Sequence, residues 1–181
     1  MLFTTILAQS SMVTSQAPLS AESVVRDALK QAAIEHKNVA VYFHASWCPW
    51  CKRLEKLWDS SRFGPKFSSS FVLAKIDIRE RGELVKEENP GWEQEMLTLR
   101  GAPERDVPYL AILSQAGTKL VDSYRPTEGR IPGNAGYPKT PVEIDAFLAL
   151  IAKAAPGFSS QDRTDLRSFF EAGPSPLSSI R

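Results

Sequence analysis

The chain has 181 residues, of which 43% are hydrophobic and 24% charged, and its formal net charge is +1. That is the balance of a single globular domain, long enough to bury a core without disulfide or metal staples. Near-neutrality gives no global field for nucleic acid or an anionic membrane, and 10 Gly with 13 Pro exclude a collagen-like or low-complexity chain.

At the start of the chain no charged side chain precedes Glu22. Leu2–Ala8 has the apolar character of a secretion signal, and Ser15-Gln16-Ala17 resembles a small-x-small cleavage site, yet no Lys or Arg comes before the apolar run. Residues 1–19 therefore read as either a signal peptide or a flexible polar tail. Localisation divides the same way, between export to a periplasm and the cytoplasm. No run reaches the roughly 20 apolar residues that a membrane span takes.

Helical periodicity begins after Ser20, a suitable N-cap, with Val25, Leu29, Ala32 and Ala33 on one face. Val39-Ala40-Val41-Tyr42-Phe43 is apolar without alternation, which predicts a strand buried on both faces. Trp47-Cys48-Pro49-Trp50-Cys51 follows, then a helix over Lys52 to Trp58 with Pro49 in its first turn. Asp59 to Lys66 reads as a break around Gly64-Pro65, and Phe71 to Ile78 as a second buried strand. The charged stretch 79–104 holds one helix around Trp92 to Leu99. Val107 to Leu113 is a third strand, paired through a turn at Gln115-Ala116-Gly117 with Lys119 to Tyr124. Arg125 to Lys139 is a long loop. Thr140-Pro141-Val142-Glu143 opens a helix with a capping box, and Ile144, Phe147, Leu148 and Ile151 form its apolar face. A last helix covers Ser160 to Ala172 and ends at Gly173, before a loose tail. The order predicts an α/β fold: a central mixed sheet flanked by helices, with an extra C-terminal helix.

The two cysteines, Cys48 and Cys51, form a single C-x-x-C. A disulfide-stapled scaffold needs more of them, and a structural zinc site takes four ligands where the chain adds only His36 and His44. The pair reads as a redox dithiol. Thiolates, not thiols, attack disulfides, and a helix N-terminus stabilises a thiolate through its unsatisfied N–H groups and dipole. Position therefore assigns Cys48, at the helix start and open to solvent, as nucleophile, and Cys51, one turn inside, as the residue that resolves the mixed disulfide.

Val39 to Lys52, with Ala74-Lys75-Ile76-Asp77 and Val107-Pro108, resembles the thioredoxin superfamily. The resemblance implies a thioredoxin fold over residues 20–155, with 156–181 as a helical extension and loose tail. It implies a thiol–disulfide oxidoreductase, and it makes Pro108 a cis-proline facing the dithiol. Val107 would then offer its backbone to an incoming substrate chain, with Trp47, Pro49 and Trp50 lining the rest of the substrate site. Lys75 matches the family's strand lysine that modulates the thiols; a solvated edge-strand lysine is its other reading. Tyr42 departs from the pattern, since the family carries a buried acid six residues before its first cysteine. The Pro49-Trp50 dipeptide is more like glutaredoxins and envelope oxidases than thioredoxin itself.

The expected activity is disulfide exchange with protein substrates, by a monomer that needs no cofactor because the dithiol carries two electrons itself. Its partners would be proteins bearing disulfides or dithiols and a redox partner, either a reductase or a membrane electron carrier. Two other readings stand beside it: a thioredoxin-fold binding or chaperone module, and copper or zinc binding through Cys48, Cys51 and His44.

Overall fold

A computed structural model describes residues 17–101, 106–125 and 133–173. Of the proposed signal or tail at 1–19, residues 1–16 lie outside the described residues, as does the terminal tail from 174. Four strands form the main sheet in the order β2-β1-β3-β4: β1 (Asn38–His44), β2 (Phe71–Asp77), β3 (Tyr109–Leu113) and β4 (Lys119–Asp122). β2 runs parallel to β1, while β3 is antiparallel to both β1 and β4. The sheet is mixed and covered by helices on both faces, as the element order predicts.

β1 is the reason the molecule has two cores. Six of its seven residues are buried, so alternate side chains supply opposite faces. Val39, Val41 and Phe43 pack with α1 (Ala21–Glu35) and α4 (Trp92–Arg100) through Val25, Ala28, Trp92 and Met96. Ala40 and Tyr42 point the other way. There they join Leu54, Leu57, Phe67, Phe147 and Phe170 from α2 (Pro49–Asp59), α3 (Gly64–Ser70), α5 (Pro141–Ala154) and α6 (Ser160–Glu171).

Helix starts follow the sequence chemistry. Ser20 caps α1 by accepting from the Ser23 N–H, and Thr140 with Glu143 closes a reciprocal capping box at α5. Ser159 and Asp162 repeat the device at α6.

Four expectations need correcting. β2 is an edge strand rather than a doubly buried one, and on its α2-side face Leu73 is 42% exposed. The inner face of α1 carries Ala28 where Ala33 was expected; Ala33 is exposed. The supposed break at 59–66 contains the start of α3, with Pro65 in its first turn, where the missing N–H costs nothing. β3 begins at Tyr109, since Pro108 has no N–H to give the ladder. A short 3-10 helix, Gly82–Glu87, precedes α4 in the charged stretch. The long loop after β4 also contains a two-stranded ribbon of β5 (Tyr124–Arg125) and β6 (Gly133–Asn134); its tip lies outside the described residues.

α6 is part of the core. Leu166 and Phe170 are at most 2% exposed, and the Phe170 ring meets Tyr137, Phe147 and Phe169 at centroid separations of 5.1–5.5 Å. Phe170→Ala should therefore cost about 3–5 kcal/mol, read as a lower urea midpoint at unchanged slope. A loss under about 0.5 kcal/mol, the size expected of a surface change, would show α6 to be an appendage.

Candidate active site

β1 delivers the chain to the site. After His44, a turn closed by Cys48 N–H to the Ala45 carbonyl at 3.0 Å leads directly into α2. Cys48 is the N-cap of that helix, and its Sγ accepts from the Cys51 N–H at 3.1 Å. Cys48 and Cys51 are joined as a disulfide, with Cα atoms 5.3 Å apart. Both are buried; Cys48 is only 2% exposed, so the open nucleophile expected from sequence is covered in the oxidised protein. Half-buried Trp47, Trp50 and Val107 pack against the core cluster that holds both cysteines, and Pro49 between them is exposed.

The Val107–Pro108 bond is cis, and the Val107 carbonyl oxygen lies 3.7 Å from Cys48 Sγ. The structure thus brings Trp47, Cys48, Trp50, Cys51, Val107 and Pro108 together. Lys75 stands further off on the edge strand, its ammonium 3.4 Å from Glu55 Oε1, one helical turn beyond Cys51.

Tyr42, where a buried acid would sit, donates its hydroxyl to the Cys51 carbonyl at 3.1 Å. Burial pushes its phenol far above the ordinary range, with the Glu55 charge adding to the shift, so it stays a neutral donor. Next to it His44 bonds Asp77 through Nε2, and its Nδ1 lies 3.3 Å from Glu55 Oε1. The imidazole is turned to these carboxylates and not to the cysteines. Among the described residues no three His, Cys, Asp or Glu side chains are grouped to hold a metal ion, so the proposed Cys48–Cys51–His44 set is not assembled.

Three parts of the site were not read from the sequence. Buried Glu80 accepts from Ser46 at both oxygens, 2.6 Å from the backbone N and 2.5 Å from Oγ, and so fixes the turn before Cys48. Trp47 is pinned by its indole N–H, 2.6 Å from the Arg79 carbonyl, with the Arg81 guanidinium 4.0 Å above the ring. Trp50 lies beside both Arg53 and Lys139, at 4.5 and 4.4 Å from its centroid. Besides Glu80 and these cation–ring contacts, the third part is a strap over residues 133–139. Asn134 Nδ2 donates to the Pro108 carbonyl at 2.6 Å, and the Tyr137 ring packs 5.5 Å from Trp50. The backbone at Gly136 approaches so closely that a Cβ there would stand 1.8 Å from the Pro108 oxygen. A cavity of about 190 Å³ remains between strap and proline, bounded by Trp50, Val107, Asn134 and Tyr137 and by the charged residues Asp106, Lys139 and Glu143. The only trace of the strap in the sequence is an apolar tyrosine inside a Gly/Pro loop.

A thioredoxin-like family model matches residues 20–114, more than half of the chain. The chain belongs to the thioredoxin-like family. It is similar to thioredoxin H4 of Arabidopsis thaliana, 32% identical over 59 residues that cover 33% of this chain and 48% of that protein. It is also similar to protein disulfide-isomerase 5-4 of the same plant, 32% identical over 54 residues, 26% of this chain and 11% of that one. The chain thus spans about half, or far less, of the lengths of these relatives. A crystal structure of a disulphide isomerase from Xylella fastidiosa Temecula1 aligns over 89% of this chain and 97% of its own, at 18% identity and a TM-score of 0.49. The C-x-x-C of this thioredoxin-like chain lies within the matched stretch, with its two sulfurs joined.

Two tests follow from the packing around the pair. Gly136→Ala has no room for its methyl and should destabilise by about 1–3 kcal/mol, as overpacking does; an unchanged urea midpoint would mean that the strap does not press on Pro108. Asp77 is held below the usual carboxylate range, chiefly by its hydrogen bond with His44. A depressed native value means its stabilisation is complete above about pH 4, the unfolded value, and fades as pH falls further. Asp77→Asn should therefore flatten the acid limb of the stability–pH curve while leaving its alkaline limb unchanged. The effect is modest because Asp77 is 38% exposed.

Proposed function

We propose that this protein is a thiol–disulfide oxidoreductase acting on protein substrates through Cys48 and Cys51. The observation that carries the reading is the disulfide at the N-cap of α2 standing beside the cis Val107–Pro108 bond. In the reduced form, the helix N-terminus stabilises a Cys48 thiolate through the same N–H that its sulfur accepts in the oxidised form. That thiolate attacks a client disulfide, forming a bond to one client sulfur and expelling the other as a thiolate, which takes up a proton from solvent. Cys51 then loses its proton and attacks Cys48 Sγ, closing the intramolecular disulfide and releasing the second client thiol. Two electrons have moved from protein to client. The reverse sequence makes a disulfide in a client dithiol.

The remaining residues take supporting roles in this proposal. Val107 offers its backbone to an extended client segment, in the manner of an added strand. Trp47, Pro49, Trp50 and Pro108 shape the contact around the sulfurs, and the Lys75–Glu55 pair modulates the thiols from the far side of α2. A second protein, a reductase or a membrane electron carrier, resets the pair after each turnover. The redox unit spans 20–155, and α6 buttresses it.

The wild-type protein should catalyse reduction of insulin disulfides by dithiothreitol, and Cys48→Ser should lose that activity at least about a hundredfold, the size of effect usual when a group acting in the transition state is removed. Cys51→Ser should instead trap a mixed disulfide with client, visible as a reductant-sensitive band on non-reducing gels. Client capture that is undiminished in Cys48→Ser, with no wild-type turnover, would replace the enzyme reading with that of a binding module.

A further inference from the structure

The cations around the pair are more than chance surface charge. Arg81 lies over Trp47, and Arg53 and Lys139 lie over Trp50, so each tryptophan flanking Cys48 carries positive charge on its face. Stacking fixes a guanidinium by its flat face and leaves the N–H donors on its edge free for a carboxylate. Among the described residues none of these three side chains has a carboxylate in ion-pair range.

The acids that lie close by keep their charge but are fixed in place by other partners. Glu80 binds Ser46, and Glu88 accepts from the Glu80 N–H and from Trp92. Glu143 caps α5 through the N–H groups of Lys139 and Thr140, and Asp106 stands 3.6 Å from Arg100. Three cations thus stand at the rim of one disulfide with no carboxylate in direct ion-pair contact among the described residues, Glu143 acting on Lys139 only through longer-range charge. Resting on the oxidoreductase reading, we infer that this rim selects clients: the preferred substrate is an acidic protein segment, a disulfide whose neighbouring residues carry Asp or Glu side chains that meet Arg81, Arg53 and Lys139.

The test uses the full chain, reduced with dithiothreitol and freed of it, in single-turnover reactions with three disulfide peptides. They share one neutral sequence and differ only in the residues beside the cysteines, two Glu, two Gln or two Lys. Each rate is divided by the rate of the same peptide with dithiothreitol, which removes differences in intrinsic disulfide reactivity. The Glu peptide should react on the order of tenfold faster than the Gln peptide, and the Lys peptide slower, as steering by a few local charges allows. The Glu-to-Gln ratio should fall toward one between about 0.05 and about 0.5 M salt, and fall likewise in the Arg81→Gln/Lys139→Gln double variant. The salt series needs no variant, so it stands even where the double variant does not fold. Equal rates for Glu and Gln peptides, or a ratio insensitive to salt, would overturn the inference. So would oxidised glutathione reacting as fast as the Glu peptide, since any anionic disulfide would then suffice. If the Gln peptide is reduced normally while no preference appears, only this inference falls. If no peptide is reduced at all, the oxidoreductase reading falls and this inference with it.

Discussion

Everything at the site depends on β1 being buried on both faces. Its side chains are committed to two cores at once, so the strand has little freedom to slide or rotate. The chain leaving it at His44 therefore enters α2 at a fixed point, and the residue standing at the N-cap there is Cys48. A sulfur at a helix N-terminus is thus a consequence of core packing far from any client. The Glu80–Ser46 contact tightens the same turn from the other side, with a buried carboxylate taking both donors.

The second wall of the site is assembled from further along the chain. The cis Val107–Pro108 bond comes up just before β3, the strand that pairs with β1, so the sheet itself sets the distance between the proline and the sulfurs. The 133–139 strap then closes over the proline, held by Asn134 and by Gly136, a position where a side chain would collide with the Pro108 oxygen. Behind the strap, aromatic rings run from Trp50 through Tyr137 to Phe170 of α6. This gives the C-terminal helix a physical reason to be present: it backs the strap that narrows the groove.

Much of this was legible in the sequence because it rests on local chemistry. The run Val39–Phe43, the caps at Ser20 and Thr140, and the apolar face of α5 each state their element within a few residues. The Cys48–Cys51 pair and Pro108 are recognisable by motif. What could not be read depends on long-range contacts. The exposed face of β2 follows from its place at the sheet edge, and strand order is not written in a strand's own residues. Glu80 reads as one charge among many until the fold carries it to Ser46. His44 looks available to the cysteines by spacing, yet Asp77 from β2 bonds its Nε2 and Glu55 from α2 faces its Nδ1. The strap was a Gly/Pro loop by composition, and only its packing shows why it contains Tyr137 and Gly136.

The central claim is that Cys48 and Cys51 interconvert between dithiol and disulfide as a working couple. The most direct measurement is a glutathione redox titration of the pure protein, with the fraction reduced counted by alkylation and mass. One reversible two-electron transition is expected, with a midpoint between about −270 and about −120 mV, the range from dithiol reductants to strong disulfide oxidants. A pair that stays fully reduced or fully oxidised across that whole range would contradict the claim, leaving the cysteines as structure alone.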